Sequence, residues 1–488
     1  MIADFHTPDW VKNAVFYQIF PDRFAKSEAL EKPDNLEPWD TDPSVFGFKG
    51  GDLLGVAERL DYLVDLGISA IYFNPIFQST ANHRYHTHDY FQIDPILGGD
   101  VAFQALLDQA HDRGIRIVLD GVFNHASRGF FQFNHILENG PESPYIDWFT
   151  IRKFPLNAYQ GEPQYRAWAD LPALPEFNTL NPQVREFIFE VARYWLERGM
   201  DGWRLDVPFE IDDDGFWQEF RQVAKEVNPQ AYLVGEIPWE ARRWLQGDQF
   251  DAVMNYQFTQ ACLAFFSGKG IDWEVAEGMM GLPHQDAMDA ASFLNRMQYL
   301  LEIYPPQAAL AQFNLLSSHD MPRFLAMVGG DQSALRLATL FQMTYPGAPS
   351  IYYGDEIGLS GGKRNYSEAS RQSFPWDESR WDKPLLAYFR QVIAIRNEHP
   401  ALRTGQFLPL YGQGRSIAYL RRDESEALLC VINAGDQPFD LEIPLAEILP
   451  EGSNWRDLLG AGQARLQEGS FTGDSLPPRT ARIYGIET

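Results

Sequence analysis

GWRLDVPFE, residues 202–210, sets Arg204 and Asp206 two positions apart in a run that otherwise reads as a buried strand. Side chains at i and i+2 of a strand share a face, so a cation and a carboxylate stand together where an apolar segment ends. Similar apolar, β-rich runs recur along the chain: VFYQIF (15–20), ISAIYFNPIF (68–77), IRIVLDGVF (115–123), AYLVGE (231–236), FDAVMNY (250–256), AQFNLLSSHD (311–320) and PSIYYGDEIG (349–358). Between them lie segments of helical periodicity, among them VAFQALLDQAHDRG, VREFIFEVARYWLERG, DGFWQEFRQVAKEV and SALRLATLFQMT. Eight strand–helix units over roughly 400 residues predict an α/β fold, a (β/α)8 TIM barrel.

The spacing departs from regularity twice. From His125 to about Pro182 the chain is rich in Pro, aromatic residues and Asn, and it is too long for an ordinary loop. This predicts a subdomain at 126–182, inserted after strand 3. Beyond about residue 405, short alternating runs (SIAYLRR, ALLCVINA, ARIYGIE) separated by Gly and Asp turns predict a C-terminal antiparallel β-sandwich at 405–488. The barrel takes the remainder, 1–125 and 183–404.

Composition narrows the partners. Forty Lys and Arg against 67 Asp and Glu give a formal charge of −27, which repels nucleic acid and anionic membranes and favours a neutral ligand. Cys262 and Cys430 are the only cysteines, and they lack metal-type spacing. The segment MIADFHTPDW has acidic residues where a secretion signal needs basic ones and has no apolar core, and no later apolar run is long enough to span a bilayer. The expectation is a soluble, cytoplasmic protein.

In a barrel of this type, function sits at the C-terminal ends of the strands. Those ends are unusually charged here: Asp120 with Asn124 and His125 after strand 3, Arg204 and Asp206 on strand 4, Glu236 on strand 5, His319 and Asp320 after strand 7. Singly, each has a bland reading as a cap, a core imidazole or half of a structural ion pair. Gathered on one rim, so much buried charge is costly without a function. Three acids, an Arg and two His, with no phosphate-type Gly loop and no strand-end Lys, suit glycoside hydrolysis better than phosphosugar or Schiff-base chemistry. On this reading Arg204 keeps Asp206 ionised with a lowered pKa, whereas Glu236 has no Arg in its local sequence and retains a proton through burial.

DGVFNH (120–125), GWRLDVP (202–208), GEIPW (235–239) and LLSSHDMPR (315–323) resemble, in order, the four signature regions of the α-amylase family of retaining glycoside hydrolases. GGDLLGV (50–56), STANHRYHTHDYF (79–91), GDQFDAVMNYQFT (247–259) and SIYYGDEIGLSGG (350–362) resemble its neopullulanase, cyclomaltodextrinase and maltogenic amylase branch. The resemblance implies that Asp206 is the nucleophile, Glu236 the acid/base and Asp320 a third acid that binds sugar hydroxyls and helps distort the ring. It implies further that Arg204 orients the nucleophile, that His125 and His319 hydrogen-bond the reacting sugar, and that Tyr85 of the His83–Tyr85 segment stacks beneath it, with Asp120 as a supporting acid. Retention requires the Asp206 and Glu236 carboxyl groups to lie about 5 to 5.5 Å apart.

The implied substrates are α-1,4- or α-1,6-linked maltooligosaccharides, cyclodextrins, pullulan or branched dextrins. A glucan transferase or isomerase shares the same intermediate and stays open as an alternative. A non-catalytic glycan-binding member should have lost one of the three acids, and all three are present. Relatives in this branch usually begin with an additional β domain that dimerises, whereas this sequence enters the barrel almost at once; any homodimer is therefore expected to form by another route. Val207-Pro208-Phe209-Glu210 replaces the branch's common Val-Ala-Asn-Glu, and Trp239 falls one position later than usual after the acid. Phe209 and Trp239 are accordingly candidate substrate-binding residues on the aglycone side. A structural Ca2+ is an option in this family, through Asn124 or through Asp52 of the first βα loop. Lys26 stands where an Asn ligand is customary, so no obligatory metal is expected.

Overall fold

The computed structural model describes residues 5–268, 270–276, 286–362, 367–445 and 452–486; the outermost residues of the chain, 1–4 and 487–488, lie outside that set. Eight strands form the barrel: β1 Phe16–Ile19, β2 Ala70–Phe73, β3 Arg116–Gly121, β4 Gly202–Leu205, β5 Tyr232–Gly235, β6 Ala252–Val253, β7 Phe313–Leu315 and β8 Ala348–Tyr352. All pair in parallel, in the order β6-β5-β4-β3-β2-β1-β8-β7, and a parallel bridge between Met254 and Phe313 joins the two ends. Most strand positions are fully buried, because side chains fill the barrel on one face and helices cover the other.

Register decides what meets at the rim. Asp120 of β3 lies opposite Arg204 of β4, and Leu205 lies opposite Gly235 of β5. The ladder runs on past the strands, with Asp206 N–H donating to the Gly121 carbonyl at 3.1 Å and Glu236 N–H to Leu205 at 2.9 Å. Backbone pairing thus sets Asp120 level with Arg204, and Asp206 level with Glu236 two residues nearer the rim. Gly202 permits the close approach of β4 and β5, since a Cβ there would stand 2.4 Å from the Tyr232 carbonyl oxygen.

The helices begin where capping chemistry starts them. Asn181 accepts from Gln183 N–H ahead of the helix Pro182–Glu197, and Asp213 accepts from Phe216 N–H ahead of Asp214–Val227. The second of these buries Phe216, Trp217, Phe220 and Ala224 on one face, the spacing of a helix laid on a sheet. Among the described residues, no helix is long and apolar enough to cross a membrane.

Two excursions leave the barrel on its functional side. After β2 the chain forms an antiparallel hairpin, Phe77–Ser79 with Thr87–Ile93, whose connecting turn carries His83 and Tyr85. After β3, residues from about 126 to 181 form the helix Phe131–Asn139 and a series of turns around packed rings, including Phe133 with Phe149 and with Tyr165.

The C-terminal strands form one antiparallel set of eight: β9 Gln406–Gln413, β10 Ser416–Arg422, β11 Ala427–Asn433, β12 Glu442–Pro444, β13 Asn454–Asp457, β14 Gln463–Gln467, β15 Ser470–Gly473 and β16 Thr480–Ile486. In β10 and β11, alternate residues face two cores. Ile417, Tyr419, Cys430 and Ile432 join the barrel's core, while Ala418, Leu420, Leu429 and Val431 pack on Ile443, Trp455 and Phe471. The junction is locked by buried guanidinium groups that meet carbonyls. Arg396 donates to Met343, Leu402 and Gly347, and Arg421 to Thr344, Leu402 and Gly405. Each fills acceptors that the turn geometry would otherwise leave buried and unmet.

Candidate active site

A cavity of about 350 Å3 opens at the C-terminal end of the barrel. It is lined by His83, Tyr85 and His86 from the hairpin turn, by His125, and by Asp206, Val207, Glu236, Asp320 and Arg371; Trp168, Leu171 and Leu174 form the remaining wall. Of the residues singled out in the sequence, Asp206, Glu236, Asp320, His83, Tyr85 and His125 face this space directly. Arg204 and His319 are buried immediately behind it. Phe209 and Trp239 are not part of its lining. They pair with each other, ring centroids 4.7 Å apart, and Trp239 is 48% exposed.

One guanidinium organises the acids. Arg204 Nη1 donates to Asp206 Oδ1 at 2.9 Å and to the two oxygens of Asp120 at 2.8 and 3.0 Å. Its Nη2 lies 2.7 Å from Glu236 Oε1, an ion-pair contact without hydrogen-bond alignment. Glu236 therefore does meet an Arg, supplied by the adjacent strand β4 and invisible in its local sequence. Glu236 Oε2 accepts from the backbone N–H of Val207 at 3.1 Å, a donor aimed by the left-handed conformation of Val207 (φ 36°). Tyr256 adds a longer contact to Oε1 at 3.4 Å.

The sequence-based expectation for Asp206 is corrected here. Burial dominates and, joined by the nearby carboxylates Glu236, Asp120 and Asp320, raises the Asp206 carboxyl well above its ordinary range against the pull of Arg204. Burial likewise pushes Glu236 up to about 7. Burial and mutual repulsion outweigh the single cation at Asp206 and Glu236, and the two titrate as a linked pair.

Asp320 behaves oppositely. Although burial opposes ionisation, His319 and Arg371 hold it far below the usual carboxylate range. His319 Nε2 lies 2.8 Å from Asp320 Oδ2, and Arg371 Nη2 donates to Oδ1 at 3.2 Å. Gln18 Nε2 donates to His319 Nδ1 at 2.9 Å, which assigns the imidazole proton to Nε2. That proton faces both Asp320 and the Tyr85 hydroxyl, 2.6 Å away, and Tyr85 in turn donates to Asp120 at 2.8 Å. The Tyr85 ring also stacks on His319 at 5.5 Å and 7°. His125 stays neutral, its pKa lowered by burial to about 3, and its buried Nε2 has no protein partner and borders the cavity.

Sequence reading missed Arg371, Trp168, His86 and the supporting role of Gln18. Arg371 lies far along the chain from Asp320, in a loop without regular pattern, and only the fold brings it to the site. Trp168 sits inside the inserted segment, where abundant rings conceal any single one.

A cation site at the first βα loop does not fit the residues present. Asp52 Oδ1 accepts from Gly55 N–H at 2.7 Å, and Oδ2 accepts from Ser27 N–H at 2.8 Å and pairs with Lys32 Nζ at 2.9 Å. An ammonium already neutralises the carboxylate that a hard cation would need. Lys26 points instead over the Trp39 ring. Asn124 is turned toward His125 Nδ1 at 3.4 Å. Among the described residues, no group of three or more His, Cys, Asp or Glu is arranged to hold a metal.

Residues 18–380 match the family described as alpha amylase, catalytic domain, and residues 407–484 match the neopullulanase-like C-terminal domain. A cyclomaltodextrinase from Bacillus sp is 47% identical over 433 residues, 88% of this chain and 74% of that protein. Two solved structures superpose over nearly the whole chain. Ttha1563 from Thermus thermophilus has a TM-score of 0.94 at 46% identity, covering 98% of this chain and 100% of that one. The debranching enzyme from Nostoc punctiforme has a TM-score of 0.90 at 47% identity, covering 99% and 100%.

Proposed function

Because the chain belongs to the α-amylase family and is an α-glucan hydrolase, we propose that it cleaves α-1,6 as well as α-1,4 glucosidic bonds in short branched maltodextrins, by double displacement. The observation that carries the mechanism is the Arg204-linked pair of Asp206 and Glu236 at the mouth of a cavity of sugar dimensions. Asp206 Oδ attacks the anomeric carbon as the glycosidic C–O bond breaks, and Glu236 gives its proton to the leaving oxygen. In the second half Glu236 takes a proton from water, the hydroxyl oxygen bonds to the anomeric carbon, and the Asp206 ester is released. Positive charge developing on the sugar ring favours the anion at Asp206, so substrate itself directs the shared proton to Glu236.

The ionised Asp320 and the unpartnered Nε2 of His125 are placed to bind sugar hydroxyls, and Tyr85 offers a ring fixed by two hydrogen bonds. No step of this mechanism requires a metal. The α-1,6 part of this reading rests on the end-to-end likeness to the Nostoc debranching enzyme and on the Phe209–Trp239 pair outside the cavity. The two rings, tilted by 54° with Trp239 half-exposed, would give the departing part of the substrate an apolar surface. The proposed setting is cytoplasmic, in keeping with the acidic, cysteine-poor composition.

Product analysis on matched linear, cyclic and α-1,6-branched glucans tests the reading. Linear maltooligosaccharides released from branched dextrins are expected. Panose as the end product of pullulan, with branch points left intact, would reassign the enzyme to α-1,4 cleavage; products longer than the substrate would reassign it to transfer.

The pH profile is a second expectation. Glu236 must be protonated in the free enzyme, and burial sets it at about 7, so kcat/KM should fall as pH rises through about 7. Asp206 must lose its proton, and its raised pKa places the acid limb above the usual carboxylate range. The profile should therefore be a bell with its maximum on the acid side of pH 7. A broad plateau extending to about pH 9 would contradict this assignment of the acid.

A further inference from the structure

Among the described residues, seven non-glycine positions adopt positive φ, and four of them flank the cavity. Arg84 (φ 57°) lies between His83 and Tyr85, Val207 (φ 36°) follows Asp206, and Ala169 (φ 51°) and Asp170 (φ 56°) follow Trp168. Left-handed backbone is unfavourable for residues with a Cβ and persists only where the surroundings enforce it, so it gathers at binding and catalytic positions. Two of these three places present residues the mechanism uses. The third presents Trp168, which it does not.

The surroundings of Trp168 are closely bonded. Trp168 N–H donates to the Leu174 carbonyl, Leu171 N–H to Trp168, and Leu174 N–H to Leu171, each at 3.0 Å, while Asp170 N–H donates to Ala167 at 3.1 Å. The loop is tied to the barrel exit by Arg128 N–H to Ala173 and Ala126 N–H to Pro175, also at 3.0 Å. So fixed, the Trp168 indole stacks on His125, ring centroids 5.4 Å apart at 26°, with part of its surface left open. Leu174 and Leu171, the latter 45% exposed, continue an apolar surface opposite the acids and Arg371. The cavity is thus two-faced. A pyranose is two-faced as well, with a C–H face that suits an aromatic ring and a rim of hydroxyls that suits charge and hydrogen bonds.

We propose that Trp168 is a substrate-stacking residue for a glucose unit of the bound chain, and that the left-handed turn at Ala169–Asp170 holds its ring, and through it His125, in the binding position before substrate arrives. This rests on the α-glucan reading above. Trp168 governs affinity rather than the chemical step, and the cost of ordering the ring is met during folding instead of binding.

Kinetics of Trp168→Ala and Trp168→Phe in the full chain, on one maltooligosaccharide, test the proposal. Trp168→Ala should raise KM on the order of tenfold with kcat changed by less than about threefold, and Trp168→Phe should restore most of the loss. Ala169→Gly/Asp170→Gly keeps the indole but relaxes its support, and should raise KM severalfold without lowering Tm. Fluorescence titration of Asp206→Asn, with and without Trp168→Ala, reads the wall independently of turnover; the second protein should bind on the order of tenfold more weakly and lose the ligand-induced change in tryptophan emission. Equal affinities, or a Phe variant no better than Ala, would overturn the stacking role while wild-type turnover leaves the hydrolase reading intact. Absence of α-glucan turnover by the wild type would overturn that reading and this inference with it.

Discussion

Asp206→Asn is expected to lower kcat on α-glucans by about five orders of magnitude, equivalent to about 7 kcal/mol of transition-state stabilisation, with oligosaccharide affinity retained. An amide oxygen still accepts from Arg204, so the site keeps its shape, but no carboxylate remains to form the glycosyl ester. The variant should also be at least as heat-stable as the wild type. An acid whose folded pKa is raised penalises folding above its unfolded pKa, and the penalty is complete once pH exceeds the folded value. Replacing that acid by a neutral isostere removes the penalty, so lost activity with an unchanged or higher Tm separates chemistry from misfolding. NMR of the first products should show the α-anomer from the wild type. Turnover by Asp206→Asn within about a hundredfold of wild type would remove Asp206 from the nucleophile's place.

The strands were legible because each is a short apolar run, and β3, β4, β5 and β7 run on into charged residues. That pattern locates both the barrel and its working end, and helical periodicity supplies the intervening layer. DGFWQEFRQVAKEV, for example, coincides with the helix Asp214–Val227. The hairpin bearing His83 and Tyr85 was recognisable only by motif, since its strands are polar and irregular in register. Contacts made between adjacent strands left no local trace. Arg204 reaches Asp120 and Glu236 from neighbouring strands, and this changes the electrostatics from one protected anion to a pair sharing a proton. Sequence spacing showed Arg204 beside Asp206 but could not count the other carboxylates competing for it. Nor could it reveal that Asp52 is neutralised by Lys32 rather than faced by Lys26. Rim residues on strand ends follow from pleat and register, whereas Trp168 and Arg371 depend on how long loops return to the rim.

Arg204→Met is expected to damage stability and catalysis together, and the pH dependence of each identifies the cause. Methionine fills much of the same volume but leaves Asp120, Asp206 and Glu236 without their shared cation. Removing one partner of a buried ionic cluster costs about 3–5 kcal/mol when the remaining charges stay ionised. Asp206 and Glu236 evade part of this cost by protonating, so their folded pKa values rise further. A raised acid pKa is penalised only above the unfolded pKa, and the penalty grows with pH; the destabilisation should therefore be small near pH 5 and large near pH 8. Urea midpoints at those two pH values test the sign, and an equal loss at both would mean that packing, not charge, is at stake. Catalysis should move the same way. The acid limb of kcat/KM shifts upward because Asp206 now needs a higher pH to ionise, and the maximum rate falls by about three orders of magnitude or more. Arg204→Lys makes the test sharper. It restores a positive charge and with it part of the stability, but a single ammonium cannot reproduce a planar fork reaching three carboxylates on three strands. Stability regained without catalysis would show that the geometry of the guanidinium, and not its charge alone, places the nucleophile and the acid.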